Sequence, residues 1–297
     1  MALAIEGVFP PIPTPFDAEG NVLHDKLSSN IARWSKTGLH GFVVLGSNGE
    51  YVFLNEAQKA AVWETARAAI PRGQLFFAGA GAESTHETIR LVRRAAELGA
   101  DAAMIVTPHY YKGQMTSSTL INHYRVVADA APIPILVYNM PLATAIDLDA
   151  ATVIELAKHP NIVGIKDSSG NVGKYTDILR AVRSDFSLLA GSGGYFYPSL
   201  CVGAKGCVAA VANVAPRECL ALYKAFCEGR HEEARKLQFR IFALNQAVTT
   251  RWNIPGLKAA LDLIGGYYGG LPSLPLRPLG DADRQALKQV MQEAGVI

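Results

Sequence analysis

The sequence predicts an α/β protein built as a (β/α)8 TIM barrel with a C-terminal helical extension. Eight short, continuous apolar runs alternate with longer amphipathic runs, which is the pattern of strands and helices in turn. Continuous apolar runs are typical of parallel strands that are buried on both faces. The 297 residues exceed the roughly 250 that such a barrel needs, which leaves room for extra helices.

The predicted elements follow one another in a regular order. The strands lie at residues 7–12, 41–45, 75–79, 102–106, 135–138, 163–166, 187–190 and 206–210. The clearest intervening helices lie at residues 56–69, 84–98 and 149–158. Asn55 is a suitable N-cap for the first of these helices, while Gly99 and Pro160 end the second and third.

Four more helices are predicted after the eighth strand, at residues 216–228, 231–249, 254–264 and 282–294. They exceed what the barrel requires. No linker or change of composition interrupts the chain before residue 210. We therefore expect residues 1–215 to form the barrel and residues 216–297 to form an extension of the same domain, packed on the barrel or at a subunit interface.

Composition narrows the class of protein. Hydrophobic residues make up 49% of the chain and charged residues 18%, which indicates a large core and argues against disorder. The net charge is +2 without a basic block, so we expect no nucleic-acid partner. No apolar run is long enough to cross a membrane, and the N-terminal residues do not resemble a targeting segment. We expect a cytoplasmic protein.

Cysteine and histidine spacing gives no indication of a metal site. Cys201, Cys207, Cys219 and Cys227 contain no C-x-x-C pair, and we expect buried, reduced thiols; a disulfide or metal role is the alternative. The seven histidines form neither H-x-H nor H-E-x-x-H, so no metal is expected.

The active site of a TIM barrel lies at the C-terminal ends of its strands, which restricts the search for reactive side chains. Lys166 ends the otherwise apolar sixth strand. Burying an ammonium group is costly, so a lysine in this position favours the neutral amine, which is a nucleophile toward ketones. The alternative is a structural ion pair between Lys166 and the adjacent Asp167.

Two neighbouring strand ends carry further candidates. Tyr138 ends the fifth strand, one βαβ unit before Lys166, where a phenol can transfer protons; the alternative is a tyrosine that only packs at the rim. The second strand is followed by a loop, residues 46–50, whose glycines allow close approach to a ligand. The backbone amides of Ser47 and Asn48 could hold a carboxylate, and the Ser47 hydroxyl could extend a relay from Tyr138.

The loop after the fourth strand carries adjacent aromatic side chains. Tyr110 and Tyr111 follow the strand end closely enough to close a pocket over the rim. The alternative is a pair of exposed loop aromatics. The loop sequence by itself does not decide between the two.

Taken together, these segments resemble the dihydrodipicolinate synthase/N-acetylneuraminate lyase family of pyruvate-dependent class I aldolases. Residues 46–50 resemble its G-[ST]-[TN]-G-E loop, residues 138–141 its Y-N-x-P segment, and residues 164–168 its G-x-K-[DE]-[ST] segment. The resemblance covers nearly the whole chain, and the three motifs in this order and spacing are highly specific.

The resemblance implies a role for each candidate. Lys166 would form an imine with pyruvate, Tyr138 would be the acid/base, and Ser47 the relay hydroxyl. Tyr110 would reach into a neighbouring subunit, which implies a homodimer or homotetramer. No metal or dissociable cofactor is implied. The implied substrate-binding residues are Ser47, Asn48, Ser168, Ser192 and Val208.

The resemblance also bears on the substrate, a 2-keto acid that is formed from or cleaved to pyruvate and an aldehyde. Ala143 stands where dihydrodipicolinate synthases carry an arginine, and residues 191–194 (Gly-Ser-Gly-Gly) lack the acidic residues of sialic-acid lyases, which suits a smaller substrate. Residues 46–50, 107–115 and 251–258 look most like the 4-hydroxy-2-oxoglutarate aldolase branch. One departure is that only Thr144 offers a polar group near Ala143.

Several alternatives remain open. Within the family they are dihydrodipicolinate synthesis, cleavage of a 2-keto-3-deoxy sugar acid, and dehydration of a keto acid. Outside it they are a keto-acid-binding protein without turnover and a metal-dependent barrel aldolase.

Overall fold

The computed structural model describes Leu3 and residues 5–297. Met1, Ala2 and Ala4, which belong to the N-terminal stretch expected not to be a targeting segment, lie outside the described residues. Eight parallel strands form one sheet in which the second to eighth strands pair in sequence order and the first pairs with the eighth. The strands are β1 (Gly7–Phe9), β2 (Gly41–Val44), β3 (Leu75–Gly79), β4 (Ala102–Val106), β5 (Ile135–Asn139), β6 (Ile162–Asp167), β7 (Ser187–Ala190) and β8 (Gly206–Val208).

The sheet closes into a barrel between β1 and β2. β1 pairs with β8 in parallel, and the chain just after β1 meets β2. There the Val43 N–H donates to the Pro10 carbonyl at 3.0 Å, and the Ile12 N–H donates to the Val43 carbonyl at 3.0 Å. The predicted (β/α)8 barrel is confirmed. β1 ends before its predicted limit because Pro10 and Pro11 have no N–H to donate to a ladder.

Helices cover the outside of the barrel and continue beyond it. They are α1 (His24–Ser35), α2 (Glu56–Ala69), α3 (Thr85–Glu97), α4 (Ser117–Ala130), α5 (Pro141–Thr144), α6 (Ala150–Leu156), α7 (Val172–Leu179), α8 (Phe196–Cys201), α9 (Pro216–Cys227), α10 (His231–Gln246), α11 (Asn253–Ile264) and α12 (Asp281–Glu293). The Asn55 side chain forms the predicted N-cap of α2, in a capping box with Gln58. Gly99 follows α3 with φ +82°, a left-handed conformation that favours glycine.

Strand alternation separates two apolar layers. Leu136 and Tyr138 belong to the cluster that fills the barrel, while Val137 and Ile165 belong to the larger cluster between the sheet and the helices. Tyr138 is paired in register with Lys166 on β6. Adjacent strands therefore place these two side chains side by side at the same end of the barrel.

The extension departs from its prediction in one place. The helix predicted over residues 231–249 ends at Gln246, and residues Ala247–Arg251 form a π-helical segment. Within it, Thr249 Oγ1 donates to the Asn245 carbonyl at 2.6 Å, and Thr250 Oγ1 donates to the Gln246 carbonyl at 3.3 Å. Such threonine bonds compete with the regular helical ladder. The expected division between residues 215 and 216 stays a prediction.

Two of the four cysteines are exposed, although the sequence predicts buried thiols. All four thiols are free, but only Cys207 and Cys219 are buried, whereas Cys201 and Cys227 are exposed. The two exposed cysteines are the last residues of α8 and α9, where the chain leaves the packed layer.

The described residues lack two kinds of feature. None of their helices is both long and apolar enough to span a bilayer. Nor do His, Cys, Asp and Glu side chains gather in any group of three or more that suits a metal ion in this part of the chain.

Candidate active site

A cavity of about 490 Å³ opens at the C-terminal ends of the strands. Its wall includes six of the predicted site residues: Ser47, Asn48, Tyr138, Lys166, Ser168 and Ser192. They come from four strand ends or the loops that follow them, those of β2, β5, β6 and β7. The barrel therefore brings together residues that are up to 145 positions apart in the sequence, counting from Ser47 to Ser192.

Lys166 lies at the base of this cavity with a side chain that is almost entirely buried, its residue being 3% exposed. Its Nζ atom is 3.9 Å from the centre of the Tyr138 ring. Among the described residues it forms no ion pair with a carboxylate. A buried amine without a counter-ion is the arrangement that a nucleophilic lysine requires.

The alternative interpretation of Lys166, a pair with Asp167, is wrong. Because side chains alternate along β6, Asp167 faces the helical layer instead. Its carboxylate lies 2.8 Å from Lys174 Nζ, and Lys174 also contacts Asp147 at 2.6 Å. The Asn139 amide donates to the same carboxylate at 3.2 Å. Asp167 is thus neutralised behind the strand.

Tyr138 and Ser47 form the contact expected of a proton relay. Ser47 Oγ lies 3.2 Å from the Tyr138 hydroxyl oxygen. Tyr138 is buried, and both residues line the wall of the cavity. Either hydroxyl can donate in this pair, which permits a proton to pass in both directions.

The Ser47–Gly49 segment is a single turn of 3₁₀ helix held between residues with left-handed backbone, Leu45 at φ 60° and Glu50 at φ 57°. In the described part of the chain the amides of Ser47 and Asn48 donate to no acceptor. Thr14 Oγ1 donates to the Gly49 carbonyl at 2.8 Å and fixes the turn from below. The two free amides suit a carboxylate.

A buried ion pair ties this turn to the extension. Glu50 Oε1 lies 2.5 Å from Lys258 Nζ, and both side chains are almost completely buried. The Ser273 N–H donates to Glu50 at 2.7 Å, and Lys258 donates to the Leu271 carbonyl at 2.7 Å. Burial raises the pKa of the Glu50 carboxyl and lowers that of the Lys258 ammonium, and the attraction between the two groups opposes both shifts.

Two predicted residues lie outside the cavity. Val208 is fully buried in the apolar interior of the barrel, below the site, and Ala210 contributes to the wall instead. Tyr110 is 75% exposed and packs edge-to-face on Tyr111. The Glu83 carboxylate accepts from its N–H at 2.8 Å, which holds the loop on the outside of the subunit. Tyr110 therefore does not line the cavity of its own chain, which Tyr138 does.

Close packing explains the glycines of the loop after β7. A Cβ atom on Gly191 would lie 2.1 Å from Ser168 Oγ, and one on Gly193 would lie 2.5 Å from a Val211 methyl group. The sequence of this loop predicts a small substrate. The structure gives its glycines a second reason, since the loop has to pack against β6 and the segment after β8.

Part of the wall was missed by sequence reasoning. The extension contributes five residues: Thr249, Thr250, Asn253, Ile254 and Leu276. All five lie away from the strand ends, where the sequence places reactive side chains. Asn253 and Ile254 belong to the segment 251–258 that resembles the 4-hydroxy-2-oxoglutarate aldolase branch, and Asn253 adopts a left-handed backbone at φ 47°, a conformation found often at ligand sites.

Comparisons with known proteins agree with this fold. The model of the dihydrodipicolinate synthetase family matches residues 4–294. A 4-hydroxy-tetrahydrodipicolinate synthase of Methanospirillum hungatei is 36% identical over 96% of this chain and 98% of its own. A probable mitochondrial 4-hydroxy-2-oxoglutarate aldolase of Emericella nidulans is 35% identical over 98% of this chain and 95% of its own.

A solved structure agrees as closely. The dihydrodipicolinate synthase from Acinetobacter baumannii, complexed with pyruvate, superimposes with a TM-score of 0.93 and 31% identity over 99% of this chain and 100% of its own. The match of the family model over nearly the whole chain confirms the resemblance that the motifs indicated. The chain belongs to the dihydrodipicolinate synthetase family and is an enzyme of the lyase class.

Proposed function

We propose that the protein is a class I aldolase that cleaves a 4-hydroxy-2-keto acid to pyruvate and an aldehyde through an imine on Lys166. One observation carries the proposal: the buried Lys166 amine has no carboxylate partner among the described residues and lies beside a Tyr138–Ser47 hydroxyl pair in a single cavity. No dissociable cofactor takes part in this chemistry.

The steps follow from these positions. The Lys166 amine attacks C2 of the keto acid, and loss of water gives an iminium ion. The relay through Tyr138 and Ser47 removes the proton of the C4 hydroxyl, the C3–C4 bond breaks, and its electron pair enters the iminium. The aldehyde leaves and an enamine remains. Protonation of the enamine at C3 and hydrolysis of the imine release pyruvate and the free amine.

The substrate carboxylate is assigned to the turn after β2. The free amides of Ser47 and Asn48 supply two donors beside the hydroxyl pair. Hydrogen bonds to an ionised group are stronger than neutral ones, so this contact would fix C1 and thereby orient C2 toward Lys166.

The first candidate for the aldehyde is glyoxylate, which makes the substrate 4-hydroxy-2-oxoglutarate. It is supported by the likeness to the Emericella nidulans protein and by the motifs of that branch. Dihydrodipicolinate synthesis is disfavoured because Ala143 occupies the position of the expected arginine, and no arginine lines the cavity in the described part of the chain. A keto-acid dehydratase remains a family alternative, which product analysis separates from an aldolase.

A second candidate is a hydroxylated aldehyde, as released from a 2-keto-3-deoxy sugar acid. It is favoured by the wall that the extension provides. The hydroxyls of Thr249 and Thr250 there already donate to backbone carbonyls, so they are left to accept hydrogen bonds from a ligand.

Tyr110 is assigned to a neighbouring copy of the chain. Its exposed side chain and its distance from the local cavity favour a contact across a subunit interface, so a homodimer or homotetramer is proposed. In that assembly Tyr110 would complete the relay of the neighbouring site.

The experiment that tests the proposal is borohydride trapping with pyruvate, followed by peptide mass mapping. A reduced pyruvyl adduct is expected on Lys166 and on neither Lys174 nor Lys258, which are also buried but are paired with carboxylates. Lys166→Ala should reduce turnover to less than about a thousandth of wild type. A folded protein that gives no adduct would remove the imine mechanism and favour a binding protein or a metal-dependent aldolase.

A further inference from the structure

A second cavity, of about 470 Å³, lies away from the candidate active site and shares none of its lining residues. Four segments that are far apart in the sequence meet around it. They are the end of α1, the start of α9, the end of α11 with the loop that follows it, and residues 295–296. Its walls therefore come partly from the barrel and partly from the extension.

Positive charge predominates in the lining of this second cavity. Arg33, Lys36 and Arg217 are cationic, and Glu218 is the one acidic side chain among the described lining residues. None of these four side chains forms an ion pair with another described residue. Like charges around one cavity repel each other, and a bound anion would offset that repulsion. We call this space the basic cavity.

Packing positions the guanidinium groups in the wall of the basic cavity. The Arg33 guanidinium lies 5.1 Å from the centre of the Tyr267 ring, and its Nη1 donates to the Gly266 carbonyl at 3.4 Å. Burial raises the pKa of the Tyr267 hydroxyl, and the positive charges of Arg33 and Arg217 oppose that rise, so both lie near this hydroxyl. Guanidinium groups bind phosphate and carboxylate through paired hydrogen bonds.

Buried hydrogen bonds connect the basic cavity to the active-site cavity. The Tyr267 ring stacks on Trp34, with 5.1 Å between the ring centres. The Trp34 Nε1–H donates to the Asn213 carbonyl at 2.9 Å, and both residues are completely buried. The Asn213 amide group donates in turn to the carbonyls of Pro11 and Ala210, at 3.0 Å each. Pro11 and Ala210 line the active-site cavity.

We propose that the basic cavity binds a small dianion, a metabolite with a phosphate group or with two carboxylates, and that this binding changes the affinity of the active-site cavity for pyruvate. Arg33, Lys36 and Arg217 hold the negative charges, and the Tyr267 hydroxyl donates a hydrogen bond. The hydrogen bonds between the cavities transmit the effect, because a ligand against Tyr267 shifts the stack that they begin from. Only the effect on pyruvate rests on the proposed aldolase function.

The first test is calorimetric titration of the protein with inorganic phosphate and with succinate. Pyruvate is present at saturation, so that the active-site cavity is occupied, and sodium chloride of equal ionic strength is the reference. Saturable binding of a dianion at one site per chain is expected, with no such binding of chloride. The probe that binds more tightly shows whether the site takes a phosphate group or two carboxylates.

Arg217→Gln should weaken the binding of the dianion by about 3- to 10-fold, the worth of one hydrogen bond to a charged group. Arg217 is exposed and forms no ion pair within the described residues, so the variant should fold. The matched control is Arg72→Gln, which makes the same change of charge. Arg72 is exposed on the loop between α2 and β3, outside both cavities, and its variant should bind the dianion as wild type does.

The second test is titration with pyruvate in the presence and absence of the dianion. The dissociation constant of pyruvate should change by about 5-fold, and pyruvate should change that of the dianion by the same factor, because coupling between two sites is reciprocal. Trp34→Phe keeps a stacking ring but removes the Nε1–H donor. It should reduce this factor while the dianion still binds.

The outcomes are distinct from one another. The site is overturned if neither phosphate nor succinate binds saturably, or if Arg217→Gln and Arg72→Gln weaken the binding equally. The link is overturned if the dianion binds but the dissociation constant of pyruvate stays the same. Failure of the aldolase proposal is recognised separately, since it appears as the absence of a pyruvyl adduct on Lys166 and leaves the binding of the dianion unaffected.

Discussion

Gly191 on the loop after β7 and Ser168 on the loop after β6 approach each other so closely that no side chain fits between them. A Cβ on Gly191 would lie 2.1 Å from Ser168 Oγ, 2.7 Å from Ser168 Cα and 2.8 Å from the Asp167 carbonyl oxygen. Two of these three atoms belong to the backbone, so rotation of the serine side chain cannot relieve the contact. The position of Ser168 in the cavity therefore depends on a glycine at position 191.

Gly191→Ala should move the backbone beside Lys166. We expect a loss of about 1–3 kcal/mol in the free energy of unfolding, the usual cost of overpacking, together with a raised KM for the keto acid. Urea unfolding and steady-state kinetics measure the two effects. Gly113→Ala is the control, because a Cβ there meets no atom within 4 Å. If the two variants have the same free energy of unfolding and the same KM, the loop after β7 moves to accept the extra methyl group at little cost.

Removing one charge of the Glu50–Lys258 ion pair should destabilise the protein more than removing both charges. Glu50→Gln or Lys258→Met leaves one charge buried, and each should cost about 3–5 kcal/mol in the free energy of unfolding. The double variant removes both charges and should recover a large part of the loss. A double-mutant cycle from urea unfolding measures the coupling.

The kinetics of the same variants report on the turn that holds Ser47 and Asn48. Because Glu50 immediately follows that turn, the single variants should also weaken pyruvate binding. Simple additivity of the two single losses would show that the charges act independently despite their 2.5 Å separation.

Mixing two inactive variants tests the proposed role of Tyr110. Lys166→Met lacks the amine and Tyr110→Phe lacks the exposed hydroxyl. If Tyr110 acts in a neighbouring subunit, a mixed dimer contains one site with both groups, and random mixing restores about a quarter of wild-type activity. Activity is measured after co-refolding the two chains. If size measurements show mixed dimers but no activity returns, Tyr110 either acts in its own subunit or has no role in the reaction.

The stability of the protein should depend on the protonation of His123. Burial lowers the pKa of this side chain to about 4, an effect that the Glu83 carboxylate partly offsets, and its Nδ1 lies 2.9 Å from Thr85 Oγ1. Since the unfolded histidine binds a proton near pH 6.5, the stabilisation is complete above that pH and is lost as the pH falls toward 4. The loss can reach the order of 3 kcal/mol.

His123→Gln should remove this part of the acid sensitivity. The difference in the free energy of unfolding between wild type and variant, measured by urea unfolding from pH 7.5 to 4.5, should shrink as the pH falls. His86→Gln, at an exposed position, serves as the control. A difference for His123→Gln that stays the same at every pH would show that this histidine does not titrate on unfolding.

The sequence by itself determined the barrel and indicated the candidate reactive residues. Eight apolar runs at regular intervals can be buried on both faces only in a parallel sheet covered by helices, and three of the strands have the predicted bounds: β3, β4 and β7. Lys166 and Tyr138 could be selected because polar groups at the ends of apolar strands are costly without a function. Their adjacency followed from the order of the strands.

Only the tertiary structure decided which other groups share the cavity. Thr249 and Asn253 lie more than 80 positions after Lys166, outside any strand end, and the docking of the extension brings them to the site. The tertiary structure also decided the ion-pair partner of Asp167, the placement of Val208 below the site and the outward position of Tyr110. Local sequence patterns specify which face of an element is apolar, but long-range packing determines what each polar group meets.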